Sequence, residues 1–538
     1  MKHVFMGLAA SLGSFFGLSQ TAHAQALGQS GYGDDALLYM RQNPSGTART
    51  LGLAGASSSL GADFGNLTSN PAGLGFFTKS EVTLTPAVGY GTTTSTQAAN
   101  GAALGSSFPS LNQTANSFHL ANVGVVFASR RPDNQAEGWR GGSFALGFTR
   151  LADFNQAFQY QNSVDDNHSF FQRLREPYGY NDYTSSAYQG AADDIYQQYL
   201  DTGQAGTTQY ANVDGLAYGT GLVDQIKVRN PRTGSAVGDS IYRLGTPVRR
   251  GTITQNEVVQ SKGSLSQFDL GYGGNFRDRL YIGIGVGIVS LNRTRTATFS
   301  ESSGGAQDFQ VQDYLHTTGT GINGRLGLIY RAADAVRFGA SIQTPTYISL
   351  SDEYSTTLMA NAKYATQGTM PVLSTAPGLF DYSVTTPFRA NGGATVLVGK
   401  YGFLTGDVEY VGYSQASFRT NDGSSDASLS SGNSFISTYY RNTLNYKVGA
   451  EGRFAIFRAR LGFAYYADPY RNSSLDRSQQ YFTGGLGVRT KTFFVDVAGV
   501  FLTAKEQYQP YRLASLPAPT VNVTNNRFTA SLTGGLLF

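Results

Sequence analysis

His119, His168 and His316 are the only imidazoles downstream of the first 26 residues, and the chain contains no cysteine. Thiolate nucleophiles, cysteine-bound metals and disulfides are therefore excluded. None of the three histidines stands beside a serine-nucleophile motif, and their scatter matches no metal or haem ligand spacing. No catalytic residue, metal or cofactor is expected. The side chains with chemical reach are instead charged residues at alternating positions: Asp407 and Glu409, Lys447 and Glu451, then Arg460. At that spacing they share one face of neighbouring strands. Both signs are present, so two readings stand open. They form a polar ladder that ties an internal segment to a wall, or a cation among them receives a carboxylate through a charge-assisted contact.

The elements that carry these residues must be strands. In "RLYIGIGVGIVSLN", Leu280, Ile282, Ile284, Val286 and Ile288 fall on one face, with Tyr281, Gly283, Gly285 and Gly287 on the other. The same alternation returns in "SQFDLGYGGNF", "INGRLGLIY" and "NTLNYKVGAEGRF", always with charges opposite the apolar stripe. Strands are expected near 80–91, 116–129, 141–161, 255–276, 279–302, 307–331, 335–358, 380–399, 402–420, 436–453, 456–469, 478–489, 492–508 and 524–538. Tight links at 277–279, 331–337, 399–402, 453–458 and 489–492 interleave with long polar loops. Fourteen strands with short turns on one side and long loops on the other predict an all-β, transmembrane antiparallel β-barrel. The last strand carries Phe528, Ala530, Leu532, Leu536 and Phe538 on one face. A terminal aromatic residue there is similar to the signal read by the barrel-assembly machinery.

Composition agrees with that architecture. Glycine, tyrosine and phenylalanine are abundant at 66, 33 and 34 residues. No stretch beyond the N-terminus is long and apolar enough for a membrane helix. Only 14% of residues are charged, for a net charge of +4, so no nucleic-acid partner is expected. The opening "MKHVFMGLAASLGSFFGLSQTAHA" reads as a signal peptide over residues 1–24, which implies export.

A fourteen-stranded barrel is too wide for its own side chains to fill. The segment before the first strand, "ARTLGLAGASSSLGADFGNLTSNPAGLGFF", is rich in glycine and turns and is the natural filling. Residues 25–79 are accordingly expected to be an N-terminal hatch plugging the lumen, with residues 80–538 forming the barrel. Gly65, Asn66, Asn70, Pro71 and Ala72 are its candidate gate residues, Pro71 holding Asn70 extended.

This segment resembles the FadL/TodX family of outer-membrane transporters for long-chain fatty acids and aromatic hydrocarbons. The resemblance rests on Arg49, Gly52, Gly55 and Ala56, then on Asp63, Gly65, Asn66, Asn70, Pro71 and Ala72 in order. Later stretches "RFGASIQTPTY", "GDVEYVGYS", "YKVGAEGRF" and "LGFAYYADPY" extend it along the chain. It implies a bacterial outer-membrane location among outer-membrane lipids. It also implies passive uptake of a hydrophobic small-molecule ligand through loop capture, a lumen pocket, and a hatch or lateral gate. Some barrels of this kind serve structural or secretion-associated roles, and the fold alone does not separate these from uptake.

Two features stand apart. In "SFALGFTRLADF", Phe144, Leu146 and Phe148 point outward, which places Arg150 on the lipid face and Leu151 in the lumen. Either Arg150 snorkels to the interface, or a bulge or kink alters the register. The resemblance implies a lateral-gate kink in this strand. Residues 163–251 form an extracellular loop too long to be structureless. In it Tyr188, Ala191, Ile195, Tyr199 and Leu200 share a helical stripe that could cap the barrel mouth or pack on neighbouring loops.

Overall fold

The computed structural model describes residues 32–97, 110–132, 138–171, 251–303, 308–360, 372–471, 475–511, 513 and 519–538, with short stretches between 200 and 245. The signal peptide expected over residues 1–24 and the stripe at 188–199 lie outside the described residues. Leu200–Asp201 pairs with Gln209–Tyr210 instead of continuing a helix.

Fourteen antiparallel strands close into a barrel. They are β1 (Glu81–Gln97), β2 (Leu111–Arg130), β3 (Trp139–Asp153, resuming as Gln156–Val164), β4 (Ile253–Phe276), β5 (Leu280–Ser302) and β6 (Phe309–Ala333). Next come β7 (Val336–Gln343 and Tyr347–Ala360), β8 (Gly378–Thr385 and Arg389–Val398) and β9 (Gly402–Val411 and Ser417–Thr420). The series ends with β10 (Thr443–Phe454), β11 (Phe457–Tyr466), β12 (Gln479–Arg489), β13 (Phe493–Tyr508) and β14 (Val521–Leu537). Each pairs with its sequence neighbour, and β14 returns to β1 from Glu81↔Leu537 to Gln97↔Val521.

The apolar stripes point to lipid. Ile282, Ile284, Val286 and Ile288 are exposed on β5, while Tyr281 and Val289 are buried inward. With no bulk water against the wall, full pairing around a closed sheet is what satisfies the backbone.

Short turns join the strands at the end where the hatch enters. Arg277 and Asp278 both adopt a left-handed φ of 56°, the two-residue geometry that matches strand twist. Beyond the strands, backbone hydrogen bonds continue from turn to turn. Arg277 N–H reaches Gly138 at 2.9 Å, Arg331 reaches Arg279 at 2.8 Å, and Arg453 reaches Tyr401 at 2.7 Å. Ser80 and Phe538 exchange two bonds of 3.0 Å at the seam. The rim is thus one hydrogen-bonded hoop.

At the other end the expected strand boundaries need correction. The strands expected over 335–358, 380–399 and 402–420 each break, at 344–346, 386–388 and 412–416. Pro345 and Pro387 occupy two of the breaks and supply no ladder donor. The three distal halves bend around α1 (Tyr32–Met40), where Tyr32 packs on Tyr382 and Phe418 with ring centroids 5.0 and 5.7 Å away. The strand expected over 436–453 begins only at Thr443. Ahead of it runs the helix Ala427–Tyr439, capped by Asp426 through the N–H groups of Ser428 and Leu429. Its Leu429 and Ile436 are buried in the cluster that also holds Tyr32 and Ala36 of α1.

Parts of the 163–251 loop are described. Phe170 and Phe171, with Leu216 of the short helix Val213–Gly219, form an aromatic cluster with Phe299, Phe309 and Tyr511 over the strand ends.

Candidate functional site

The hatch fills the lumen with α1, α2 (Ala48–Gly52), α3 (Asn66–Ser69) and a 3-10 turn at Pro71–Phe76. Asn70 is extended, with φ −145° and ψ 100°, as its position before Pro71 requires. Its side-chain oxygen accepts from Ala72 N–H at 3.1 Å. Its Nδ2 donates to Ser58 O at 2.6 Å, and to Leu328 O and Ala340 O of β6 and β7 at 3.2 and 3.3 Å. Asn70 therefore shapes the hatch and fastens it to the wall at once. Asn66 performs the internal half, with Nδ2 donating to Ser57 O and Oδ1 accepting from Asp63 N–H, each at 3.2 Å. Gly65 N–H donates to Asp63 at 2.8 Å, and Ala72 is fully buried.

The wall makes room for this contact by omitting side chains. A Cβ on Gly283 would overlap the Pro71 carbonyl, one on Gly327 the Asn70 side-chain oxygen, and one on Gly339 the Ser58 carbonyl. The glycine face of β5 to β7 is thus a seat for residues 58–72.

The five charged residues of the candidate ladder all lie in the lumen and engage the hatch or one another. Asp407 Oδ2 accepts from Ser57 and Ser58 N–H at 2.8 and 2.9 Å. Glu451 meets Arg460 at 2.7 Å, Arg453 at 2.7 Å and the hatch residue Arg49 at 3.5 Å. Arg460 continues to Asp496 at 2.6 Å. Glu409 binds Lys447 at 3.3 Å and Arg389 at 3.0 Å, and Arg389 also donates to the carbonyl of Met40 at the end of α1. Of the two readings left open by sequence, this geometry favours tying the hatch. Arg389, Asp496 and Arg49 were not foreseen as members. Which inner residues meet depends on register, which the sequence pattern does not fix.

Strand β3 turns inward. Its ladder with β2 ends at Asn122↔Thr149, and a bulge between Arg150 and Ala152 interrupts its ladder with β4. Asn122 sits at this fork, with Nδ2 3.2 Å from both Phe148 O and Thr149 Oγ1. Past the fork, residues 111–121 of β2 have no ladder partner on the β3 side among the described residues. The resumed Gln156–Val164 segment instead leans over the inner wall, where Thr93 Oγ1 donates to Ala157 O at 2.5 Å and Phe158 packs on Tyr508.

Of the two readings left open for Arg150, the bulge is present, directly after it, and the Arg150 side chain does not reach out to lipid. Arg150 binds Asp153 at 3.1 Å and Gly263 O at 2.9 Å. Leu151 is buried in the cluster around α1. Asp153 is the centre of the bend, receiving Arg527 at 3.2 Å and Ser117 Oγ at 3.1 Å as well as Arg150, and lying 3.9 Å from His119. The serine bonds the carboxylate and not the imidazole, so these three side chains form no proton relay.

Two cavities meet at this bend. The larger, about 330 Å³, lies beside α1 and is bordered by Leu38, Phe154, Phe158, Leu502 and Tyr508, with Arg41, Arg295 and Lys505 among its polar walls. The smaller, about 80 Å³, lies among Leu51, His119, Ala121, Arg150 and Leu151. Asn43, Ala152, Asp153, Leu502 and Arg527 line both. The smaller cavity therefore reaches the unpaired stretch of β2.

These features define a transmembrane β-barrel plugged by its own N-terminal segment and interrupted at its third strand. Among solved structures, the chain matches the crystal structure of a Pseudomonas aeruginosa FadL homologue with a TM-score of 0.50 and 12% identity, over 92% of this chain and 99% of that one. The fold is thus that of a FadL homologue. The Pseudomonas putida toluene transporter TodX is similar at a TM-score of 0.48 and 12% identity, and the Ralstonia pickettii toluene transporter TbuX at 0.45 and 14%, each over 92% of this chain and 99% of its own. No protein-family model and no curated protein matches the sequence.

Proposed function

We infer that this barrel is an outer-membrane channel for passive uptake of hydrophobic small molecules, long-chain fatty acids or aromatic hydrocarbons. The supporting observation is the junction of the lumen cavity, the smaller cavity at the β3 bend and the unpaired stretch of β2. A molecule held beside α1 would pass Asp153 and Ala121 on its way to the bilayer. The path avoids the tightly bonded Asn66–Ala72 region. Extracellular loops would deliver the ligand, and the terminal strand ending in Phe538 would present the chain to the barrel-assembly machinery during insertion. A cavity lined by the unpaired stretch of β2 weighs against a purely structural or secretion-associated role, for which a solidly filled lumen would serve.

The test is uptake of a radiolabelled long-chain fatty acid and of radiolabelled toluene by cells lacking their own transporter. The intact chain is compared with Ala121→Phe, which fills the smaller cavity. Faster uptake of either compound by the intact chain, lost in Ala121→Phe with the barrel still inserted, is the expected result. If Ala121→Phe transports as well as the intact chain, the lateral route is wrong. If the intact chain transports neither compound faster than cells without it, uptake of these classes is wrong.

A further inference from the structure

The rim of short turns is strongly basic. The stretches 79–81, 130–140, 277–279, 331–337, 399–402, 453–458 and 489–492 together hold thirteen Lys and Arg against five Asp and Glu. That excess is larger than the +4 of the whole chain, so the remainder carries net negative charge. The charge is concentrated at one end of the barrel. Some of these cations are committed: Arg130 and Arg140 pair with Asp278 at 3.1 and 3.0 Å, and Arg489 with Glu81 at 3.3 Å. Arg131, Arg277, Arg279, Lys400 and Lys491 are exposed and have no carboxylate partner among the described residues.

Immediately membrane-ward of these cations stands a ring of exposed aromatics, including Trp139, Phe276, Phe338, Tyr401, Phe457 and Phe493. Aromatic girdles mark the boundary between acyl chains and headgroups. The cations one or two residues beyond them are therefore held at headgroup depth. Arg277 lies over the ring of Phe276 at 5.3 Å, and Lys400 over Tyr401 at 5.5 Å, so both charges are anchored beside the girdle. The hydrogen-bonded hoop described above fixes the turns relative to one another. A soluble acidic partner would need only the charge. The seating of Arg277 and Lys400 on lipid-facing rings, with the other unpaired cations on the same turns, favours a ligand that has both an acyl chain and an anionic headgroup.

We propose that the short-turn rim is a binding surface for anionic phospholipids, whose phosphodiester headgroups sit on the unpaired cations while their acyl chains lie on the aromatic girdle. The surface is independent of any cargo in the lumen. Preference for a net-negative headgroup follows from the unneutralised charge at the rim.

Trp139 is the only tryptophan of the chain, and its ring lies over Gly274 on the outer wall beside this rim. Its fluorescence therefore reports the lipid at the rim. The full-length barrel is reconstituted into vesicles containing brominated phosphatidylglycerol or brominated phosphatidylcholine at matched mole fractions, and quenching is compared. We expect phosphatidylglycerol to be favoured about fivefold in relative association, the preference that one surface cation confers. High salt should shrink it, and the Arg131→Gln/Arg277→Gln/Arg279→Gln variant should abolish it. Should the variant not insert, judged by heat-modifiable migration, the salt titration of the native protein decides. Equal quenching by both lipids in the native protein overturns the proposal and leaves the basic rim to an acidic soluble partner. A preference that persists unchanged in high salt and in the inserted variant overturns it too.

Discussion

Arg49 of the hatch lies 3.5 Å from Glu451 of β10, and the same carboxylate holds Arg460 at 2.7 Å. One buried carboxylate thus serves two buried guanidiniums, one from the plug and one from the wall. Truncating Glu451 to alanine leaves both without their shared partner, and breaking a buried pair costs about 3 kcal/mol or more. A marked loss of denaturant resistance in detergent is expected. In a double-mutant cycle with Arg49→Ala, coupling of at least about 1 kcal/mol should appear. Zero coupling would show that the contact does not hold the hatch.

Asn70→Ala removes one cap and three donor contacts, two of them to the wall. The Ser58, Leu328 and Ala340 carbonyls lose a shared donor, at a cost of about 1–3 kcal/mol. The hatch should become susceptible to protease in detergent while the barrel remains folded, and planar-bilayer conductance should rise. Wild-type protection and conductance would mean that the polar ladder alone secures the plug.

Two glycine substitutions should behave oppositely. Gly283→Val places its side chain into the Pro71 carbonyl, whereas a Cβ on Gly392 meets nothing within 4 Å. Gly283→Val should reduce folded barrel in the membrane or unseat the hatch, and Gly392→Val should match the parent. Equal yields and equal hatch protection in both variants would contradict the seat.

Asp153→Ala leaves Arg150 and Arg527 without the carboxylate that draws β3 inward. The resumed Gln156–Val164 segment should relax outward toward β2 and narrow the gap, so uptake should fall while the barrel still migrates as a folded species. Unchanged uptake would assign the bend to the bulge alone.

The barrel was legible in the sequence because lipid and lumen impose opposite chemistry on successive residues. Ile282 and Gly283 announce their faces without any knowledge of neighbours. The hatch was legible for a related reason, since the glycines of β5 and the turn residues Asn70 and Pro71 are complementary. The breaks in β7, β8 and β9 were not. Pro345 and Pro387 were visible, but alternation resumes after each one, and only burial against α1 shows why the strands bend there. The helix Ala427–Tyr439 was hidden because its serine-rich run has weak periodicity and Leu429 and Ile436 are explained only by what they touch. At the site, sequence placed charges on the inner face but could not pair them, since Glu451 meets Arg49 across about 400 positions of chain. At Arg150 alternation left a snorkelling side chain and a bulge both open, and only the pairing with β4, which shifts between Arg150 and Ala152, shows the bulge.

The bare glycine face of β5 to β7 also limits what the plug can do. A lining that omits side chains is a cast of the object it holds. Were that object expelled, the seat at Gly283, Gly327 and Gly339 would present bare peptide backbone shaped for residues 58–72 and for nothing else. A socket cut to one shape holds its own key best, and it resists every other.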